Sequence, residues 1–142
     1  MTSLEELFTA YKHLRRPSEM PRELDLSLFR KGEEPLWETS PHGGCWIIKI
    51  RKFDNIDALW ERLIFGAVGE QFEGNDENVI GVLLSLRLKE RLMEIWIKDG
   101  RNEKKRYEVS RLLKVMLALD SEAMIFYKPH NKSIEVCVLV IC

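Results

Sequence analysis

The run Cys45-Trp46-Ile47-Ile48-Lys49-Ile50-Arg51 alternates with period two. Trp46, Ile48 and Ile50 fall on one side, and Cys45, Ile47, Lys49 and Arg51 on the other. β-branched residues on that period specify a strand, and a strand with so large an apolar side needs a layer to cover it. Trp46 is therefore expected in the core. The residues just before it impose the opposite requirement. Trp37 stands between Pro35 and the segment Thr39-Ser40-Pro41-His42-Gly43-Gly44, which no central strand accommodates. A large aromatic in a loop beside a carboxylate, here Glu38, asks for a ligand. The competing reading has Trp37 covering its own loop against the core.

Helical periods supply the covering layer. Ser3 to Arg16 reads as a helix, with Ser3 and Glu6 as a capping box, an apolar face of Leu4, Leu7, Phe8, Tyr11 and Leu14, and Pro17 as its stop. Asp54 is expected to cap a second helix, whose stripe runs Ile56, Leu59, Trp60, Leu63, Ile64, Ala67 and Val68 to a stop at Gly69. Trp60 lies on that stripe and belongs in the core. A third helix is expected from about Asn102 to Leu119, with Val109, Leu112, Leu113, Met116 and Leu119 facing inward. Its basic residues, Lys104 to Arg106, Arg111 and Lys114, read as a solvated face. Residues 17–25 and 72–78 read as loops. Strands are expected at Leu26–Arg30, Met124–Lys128 and Ile134–Ile141. A hairpin is expected from Val79–Arg87 and Leu92–Lys98 around Lys89-Glu90-Arg91. Strands joined by hairpins and interrupted by three amphipathic helices give an α+β class: a mostly antiparallel sheet with helices packed on one face.

Several functions are disfavoured by what the 142 residues contain. They read as one domain, 1–142, of ordinary globular composition. A net charge of −1 provides no global basic field, so any nucleic-acid contact must be local. The apolar run Val136–Cys142 is too short to cross a bilayer, and the charged start is not a signal peptide. Cys45, Cys137 and Cys142 show no CxxC spacing and read as reduced, structural thiols. His13, His42 and His130 have no partners at metal-ligand spacing. With no phosphate loop or nucleophile motif either, neither a cofactor nor catalysis is expected.

The segment from Ser27 to Glu38, SLFRKGEEPLWE, followed by GGCWI at Gly43–Ile47, resembles the mRNA cap-binding translation initiation factor 4E family. The resemblance continues through DALWERLIFGAVGE (57–70) and IGVLLSLRLKERLMEIW (80–96), with order and spacing preserved. It implies a curved sheet with helices on the convex side and a cap-binding concave mouth. It also implies a cytoplasmic translation factor that binds the 7-methylguanosine end of mRNA and a 4G-like scaffold or 4E-binding-type peptide, but neither DNA nor membrane.

A methylated guanine is cationic and stacks on indoles, its N1–H and amine suit one carboxylate, and its phosphates need Arg or Lys. Trp37 and Glu38 match the family's stacking tryptophan and guanine-reading glutamate. Trp96 matches the tryptophan that meets the methyl group. Strand alternation independently puts it on a face with Leu92, Glu94 and Lys98, away from Met93, Ile95 and Ile97. Arg87, on a face with Gly81, Leu83 and Ser85, matches a phosphate-binding arginine, and Lys89 matches a family lysine. A phosphate-binding lysine of the family is Leu92 here, and the adjacent Arg91 substitutes for it only if the turn shifts register.

The chain departs from the family elsewhere. The family's first stacking tryptophan is expected upstream of Ser3, and a family arginine is Cys45 here. The last loop, holding Lys132, is shorter. On the partner face Leu4 and Gly69 fit the family, whereas its tryptophan is Phe8 and its leucines are Glu61 and Phe65. An interaction module with the same fold and little cap affinity is therefore the alternative reading.

Overall fold

The structure is a computed structural model that describes residues 4–11, 16–20, 23–33, 36, 38, 40–69 and 71–130, with residues 4 and 6–8 as backbone only. Helix α1 spans Leu4–Tyr11 and strand β1 Leu24–Phe29. Strand β2 (Gly44–Ile50), helix α2 (Ile56–Val68), strands β3 (Val79–Leu86) and β4 (Arg91–Ile97), helix α3 (Glu103–Met116) and strand β5 (Ile125–Pro129) follow. The strands form one antiparallel sheet in the order β1-β3-β4-β2-β5, with the helices on its convex face. The expected Ser3 cap, Leu14, Lys132, the strand Ile134–Ile141, His13, Cys137 and Cys142 lie outside the described residues.

Alternation along the strands decides which side chains meet the helices. Trp46, Ile48 and Ile50 of β2, Val82, Leu84 and Leu86 of β3, and Met93, Ile95 and Ile97 of β4 pack under α2 and α3 as one core. From α2 the core receives Leu59, Trp60, Leu63 and Ile64, and from α3 Val109, Leu112 and Leu113. Complete burial of such a side chain contributes about 1.5–3 kcal/mol. Trp46 does more than fill space: its indole N–H donates to the Arg106 carbonyl at 3.2 Å, and its ring meets Tyr127 edge-on at 5.3 Å. One β2 side chain thus pins both α3 and β5.

Several boundaries differ from the sequence expectation. Asn55, not Asp54, caps α2, accepting from the Ala58 N–H at 3.2 Å. Asp54 is drawn instead to Arg51, accepting from its backbone N–H and guanidinium. Asn102 caps α3 in the same way, accepting from Lys105 N–H, and the helix ends at Met116 rather than Leu119. Arg16 already has extended backbone, so α1 does not reach it. Arg91 is not a turn residue, because it opens β4 and pairs with Leu86 and Ile50. Phe72, in the segment read as a loop, is fully buried in the main core. A register shift between Val79 and Gly81 turns Val79 toward the helices and Ile80 away from them.

Candidate functional site

The concave face, opposite α2 and α3, carries a second and smaller apolar cluster. Cys45, Ile47, Ile80 and Trp96 form it, with Phe29 and Leu92 packed alongside. Trp96 reaches this face because it lies on the opposite parity of β4 from Met93, Ile95 and Ile97. It is only 8% exposed. Phe29, Gly81 and Trp96 are neighbours across β1, β3 and β4. A side chain at Gly81 would meet the Phe29 ring at 2.3 Å, so its absence lets that ring lie across β3. The ring then meets Trp96 edge-on, 5.6 Å between centroids.

The His130 ring is 4.7 Å from Trp96, and its Nδ1–H donates to the Ser40 carbonyl at 3.1 Å. Burial holds the His130 pKa below the ordinary imidazole value, favouring the neutral ring. Ser40 closes the loop that carries Glu38, so His130 links that loop to the Trp96 cluster. Glu38 itself is exposed. Trp37 lies outside the described residues. On the other side of the mouth, Lys98 pairs with Glu33 at 3.0 Å and ties the segment after β1 to the end of β4.

Polar groups also stand on this floor. Glu94 lies between Leu83 and Ile47 in the register and accepts from the Trp96 indole N–H. Burial raises its pKa, outweighing the hydrogen bonds from Cys45 and Trp96 that lower it. Burial, reinforced by Glu94, pushes the Cys45 thiol far above its ordinary value, so it remains a neutral thiol.

The cationic residues lie at the far end. Arg87 follows β3 directly and is engaged by Asp25 at 2.9 Å and Glu23 at 3.8 Å. Lys89 is exposed in the β3–β4 turn, and the Arg91 guanidinium donates to the Arg51 carbonyl at 2.8 Å. All three line one cleft, joined there by Lys49, Arg51 and Lys52. Sequence reasoning did not bring those last three, which lie past the residues matched to cap phosphates, to this cleft; their signal was the basic end of the Cys45–Arg51 strand and its turn. It also missed Phe29 and His130 as neighbours of Trp96, since both contacts join distant segments.

The expected partner residues lie on the convex side. Leu4 and Phe8 are on α1, though their side chains are not among those described. Glu61 and Phe65 are half-buried on α2, and Gly69 caps it with ordinary negative φ. Phe65 packs edge-on against Tyr11, 5.9 Å between centroids, and so helps hold α1 to α2.

The result is a one-sided α+β domain whose open sheet face carries an aromatic cluster, with an exposed carboxylate at Glu38 and a cationic cleft at the far end. Comparison with known proteins agrees. The family model "Eukaryotic initiation factor 4E" matches residues 1–137. The translation initiation factor NCBP of Triticum aestivum is 33% identical over 136 residues, 94% of this chain and 58% of that protein. Initiation factor 4E1 of Drosophila melanogaster is 31% identical over 133 residues, 91% of this chain and 51% of that one. The chain therefore spans little more than half the length of these relatives. Among solved structures, Ascaris suum eIF4E-3 with m7G cap superposes with a TM-score of 0.84 at 27% identity, over 89% of this chain and 73% of that one. The complex of Caenorhabditis elegans eIF4E-3 with the 4E-binding protein Mextli and cap analog superposes at 0.85, with 24% identity, over 92% and 76%. At that identity it supports the fold. The chain belongs to the eukaryotic initiation factor 4E family.

Proposed function

We propose that this chain binds the 7-methylguanosine end of mRNA on its concave face, as a cytoplasmic translation initiation factor and a single binding domain. The observation that carries it is the layout along β3 and β4. The Trp96 indole stands at one end of this face and the Arg87 guanidinium at the other, six residues beyond Gly81, the cross-strand neighbour of Trp96. At ~3.3 Å per residue that is roughly 20 Å, the scale of a base with a phosphate chain extended from it. Glu38 reads the guanine edge, Trp37 stacks on the base, and Arg87 and Lys89 take the phosphates; Arg91, opposite Leu86 and Ile50 on the helix-side parity, flanks them at the end of the sheet. The convex face, with Leu4, Phe8, Glu61, Phe65 and Gly69, receives a 4G-like scaffold or a 4E-binding-type helix. Structural relatives are recorded with both kinds of ligand, a cap and a 4E-binding protein.

The reading is of a binding protein, not an enzyme. No group of His, Cys, Asp and Glu that would hold a metal is present among the described residues. No helix there is long and apolar enough to cross a membrane. The test is titration with 7-methylguanosine triphosphate, followed by quenching of tryptophan fluorescence. Saturable quenching that GTP reproduces only at higher concentration supports the proposal, and no binding of either nucleotide overturns it.

A second reading has its own observation. Arg87 is held by Asp25 and Glu23, and Glu94 adds a carboxyl to the floor where phosphates would approach. Those carboxylates favour a protein-interaction module of the same fold with little cap affinity, a translational regulator. The same titration separates the two.

A further inference from the structure

The basic cleft at the β3–β4 turn extends past the residues assigned to cap phosphates. It encloses about 590 Å³, and its cationic wall continues from Arg87, Lys89 and Arg91 onto the end of β2 and the following turn, at Lys49, Arg51 and Lys52. Two carboxylates, Glu90 and Glu122, share the lining. The balance among these six cations determines what the cleft can hold.

Arg51 is committed: its guanidinium is shared between Asp54 at 3.0 Å and Asp120 at 2.8 Å. Lys49 pairs with Glu90 at 3.2 Å across partly exposed side chains, a contact that exchanges readily with another anion. Lys52 and Lys89 are exposed in the cleft lining and make no ion pair among the described residues. Next to Lys52 in the chain, outside the cleft lining, stands Phe53, an aromatic ring 76% exposed, with the Arg51 guanidinium 4.5 Å over it. With Asp54 and Asp120 fixing Arg51, the ring is supported at one face. Exposed cations next to an exposed, supported aromatic ring are the two components single-stranded nucleic acid uses: charge for the backbone, a flat face for a base.

We infer that this cleft holds the phosphodiester chain of the transcript immediately beyond the cap, with Lys49 and Lys52 at phosphates and Phe53 beneath a base. The inference rests on the cap reading only for direction. A chain whose first phosphates lie at Arg87 enters the cleft at Lys89 and runs toward Lys52.

The experiment compares 7-methylguanosine triphosphate with a capped single-stranded RNA of about eight nucleotides, in the range one such groove covers. An uncapped RNA of the same sequence is a third ligand. Each is titrated against wild type, the double variant Lys49→Gln/Lys52→Gln, and Phe53→Ala. These positions are outside the cap site and at the surface, and thermal melting checks that each variant is folded. The expected result is that capped RNA binds about tenfold more tightly than the mononucleotide. The double variant removes that gain, leaves mononucleotide affinity unchanged, and flattens the salt slope for RNA by about 1.4, at ~0.7 per phosphate for single strands. Phe53→Ala lowers RNA affinity alone.

Failure of the two readings gives different results. If the mononucleotide does not bind but uncapped RNA does, and the double variant weakens it, the cleft stands and the cap reading falls. If the mononucleotide binds and capped RNA gains nothing, the cleft proposal falls alone. Binding of a glutamate-rich peptide through Lys49 and Lys52, without any RNA gain, would assign the cleft to a protein and overturn it too.

Discussion

The Trp96 indole N–H donates to the carboxyl of Glu94, two residues earlier on the same strand, at 3.2 Å. Two residues is the period of a strand, so the acid and the ring share the concave floor, where the ring's only donor is already used. With that donor used and Trp96 only 8% exposed, the floor offers apolar contact rather than a hydrogen bond. It also presents an acid between Trp96 and the distant cations.

Glu94→Gln tests that acid. Burial raises its pKa in the folded state, and Asp25 adds to the rise while Cys45, Trp96 and Lys128 oppose it. A carboxyl with a raised folded pKa binds its proton more tightly when folded. Its contribution is therefore greatest below the unfolded value of ~4.3 and is lost as pH rises through the folded value. In wild type, melting temperature should show that decline, and Glu94→Gln should remove it while keeping an acceptor for Trp96. Affinity for cap phosphates should also rise at neutral pH, by up to about fivefold, the scale of one screened charge interaction. Identical pH profiles for the two proteins would refute the assignment.

Glu38→Gln should weaken binding of a cap analogue by about 1.5–3 kcal/mol, the scale of a hydrogen bond to a charged group. Melting temperature should not change, because Glu38 is exposed. Calorimetric titration of both proteins decides, and equal affinities would remove Glu38 from the site.

Gly81→Val forces a side chain into the place of the Phe29 ring. The expected cost is about 1–3 kcal/mol of stability, as for other overpacked positions. Because Phe29 rests against Trp96, tryptophan emission should shift with it. A variant as stable as wild type, with unchanged emission, would mean that Phe29 moves aside freely.

On the convex side, a helix of the YxxxxLΦ type should bind more weakly than to relatives with the family pattern. Phe8 lacks an indole N–H, and Glu61 puts a half-buried charge where apolar contact is needed. Glu61→Leu should recover about 1 kcal/mol of peptide affinity. Tight wild-type binding that this substitution leaves alone would contradict the assignment.

Of the four tryptophans, Trp46 and Trp60 are buried in the main core and Trp96 lies in the floor. The remaining tryptophan, Trp37, is the one that the proposed reading stacks on a base. Stacking contributes roughly 1–3 kcal/mol per base, so one face instead of two lowers affinity by about ten- to hundredfold. A polypeptide of these 142 residues should bind 7-methylguanosine triphosphate weakly and prefer it to GTP only modestly, with Trp96 left to sense the methyl group. An added segment or partner presenting an aromatic should restore both properties. Tight and strongly methyl-selective binding without one would show that another residue supplies the second face.

What was legible in the sequence was whatever local periodicity encodes. Trp46 and Trp60 in the core, Trp96 on the opposite face of its strand, and Arg87 on the parity of Gly81 all follow from counting. What escaped depends on choices between near neighbours or on distant contacts. Asp54 and Asn55 are both good caps, and Arg51 settled the choice by drawing Asp54 away. Phe72 sits among turn-forming residues, yet its side chain is buried in the main core while its N–H donates to the Asp76 carboxylate. The shift at Ile80 is one extra residue in a strand, which alternation cannot reveal. Charge on Lys49 and Lys52 was visible, but their convergence with Lys89 required the β3–β4 turn to come up beside the end of β2.

The strand order has a consequence during synthesis. Among the described strands only β3 and β4 are joined by a short turn, while β2 lies between β4 and β5, both made later. As the chain leaves the ribosome, the residues of β1 and β2 emerge with their sheet partners still untranslated. The hairpin at 79–97 is the first local pairing available, and it is the template on which the earlier strands dock. Trp46 therefore lacks its strand neighbours Ile95 and Tyr127 until β4 and β5 have been made, which leaves Cys45–Ile50 as an unpaired apolar segment in the meantime.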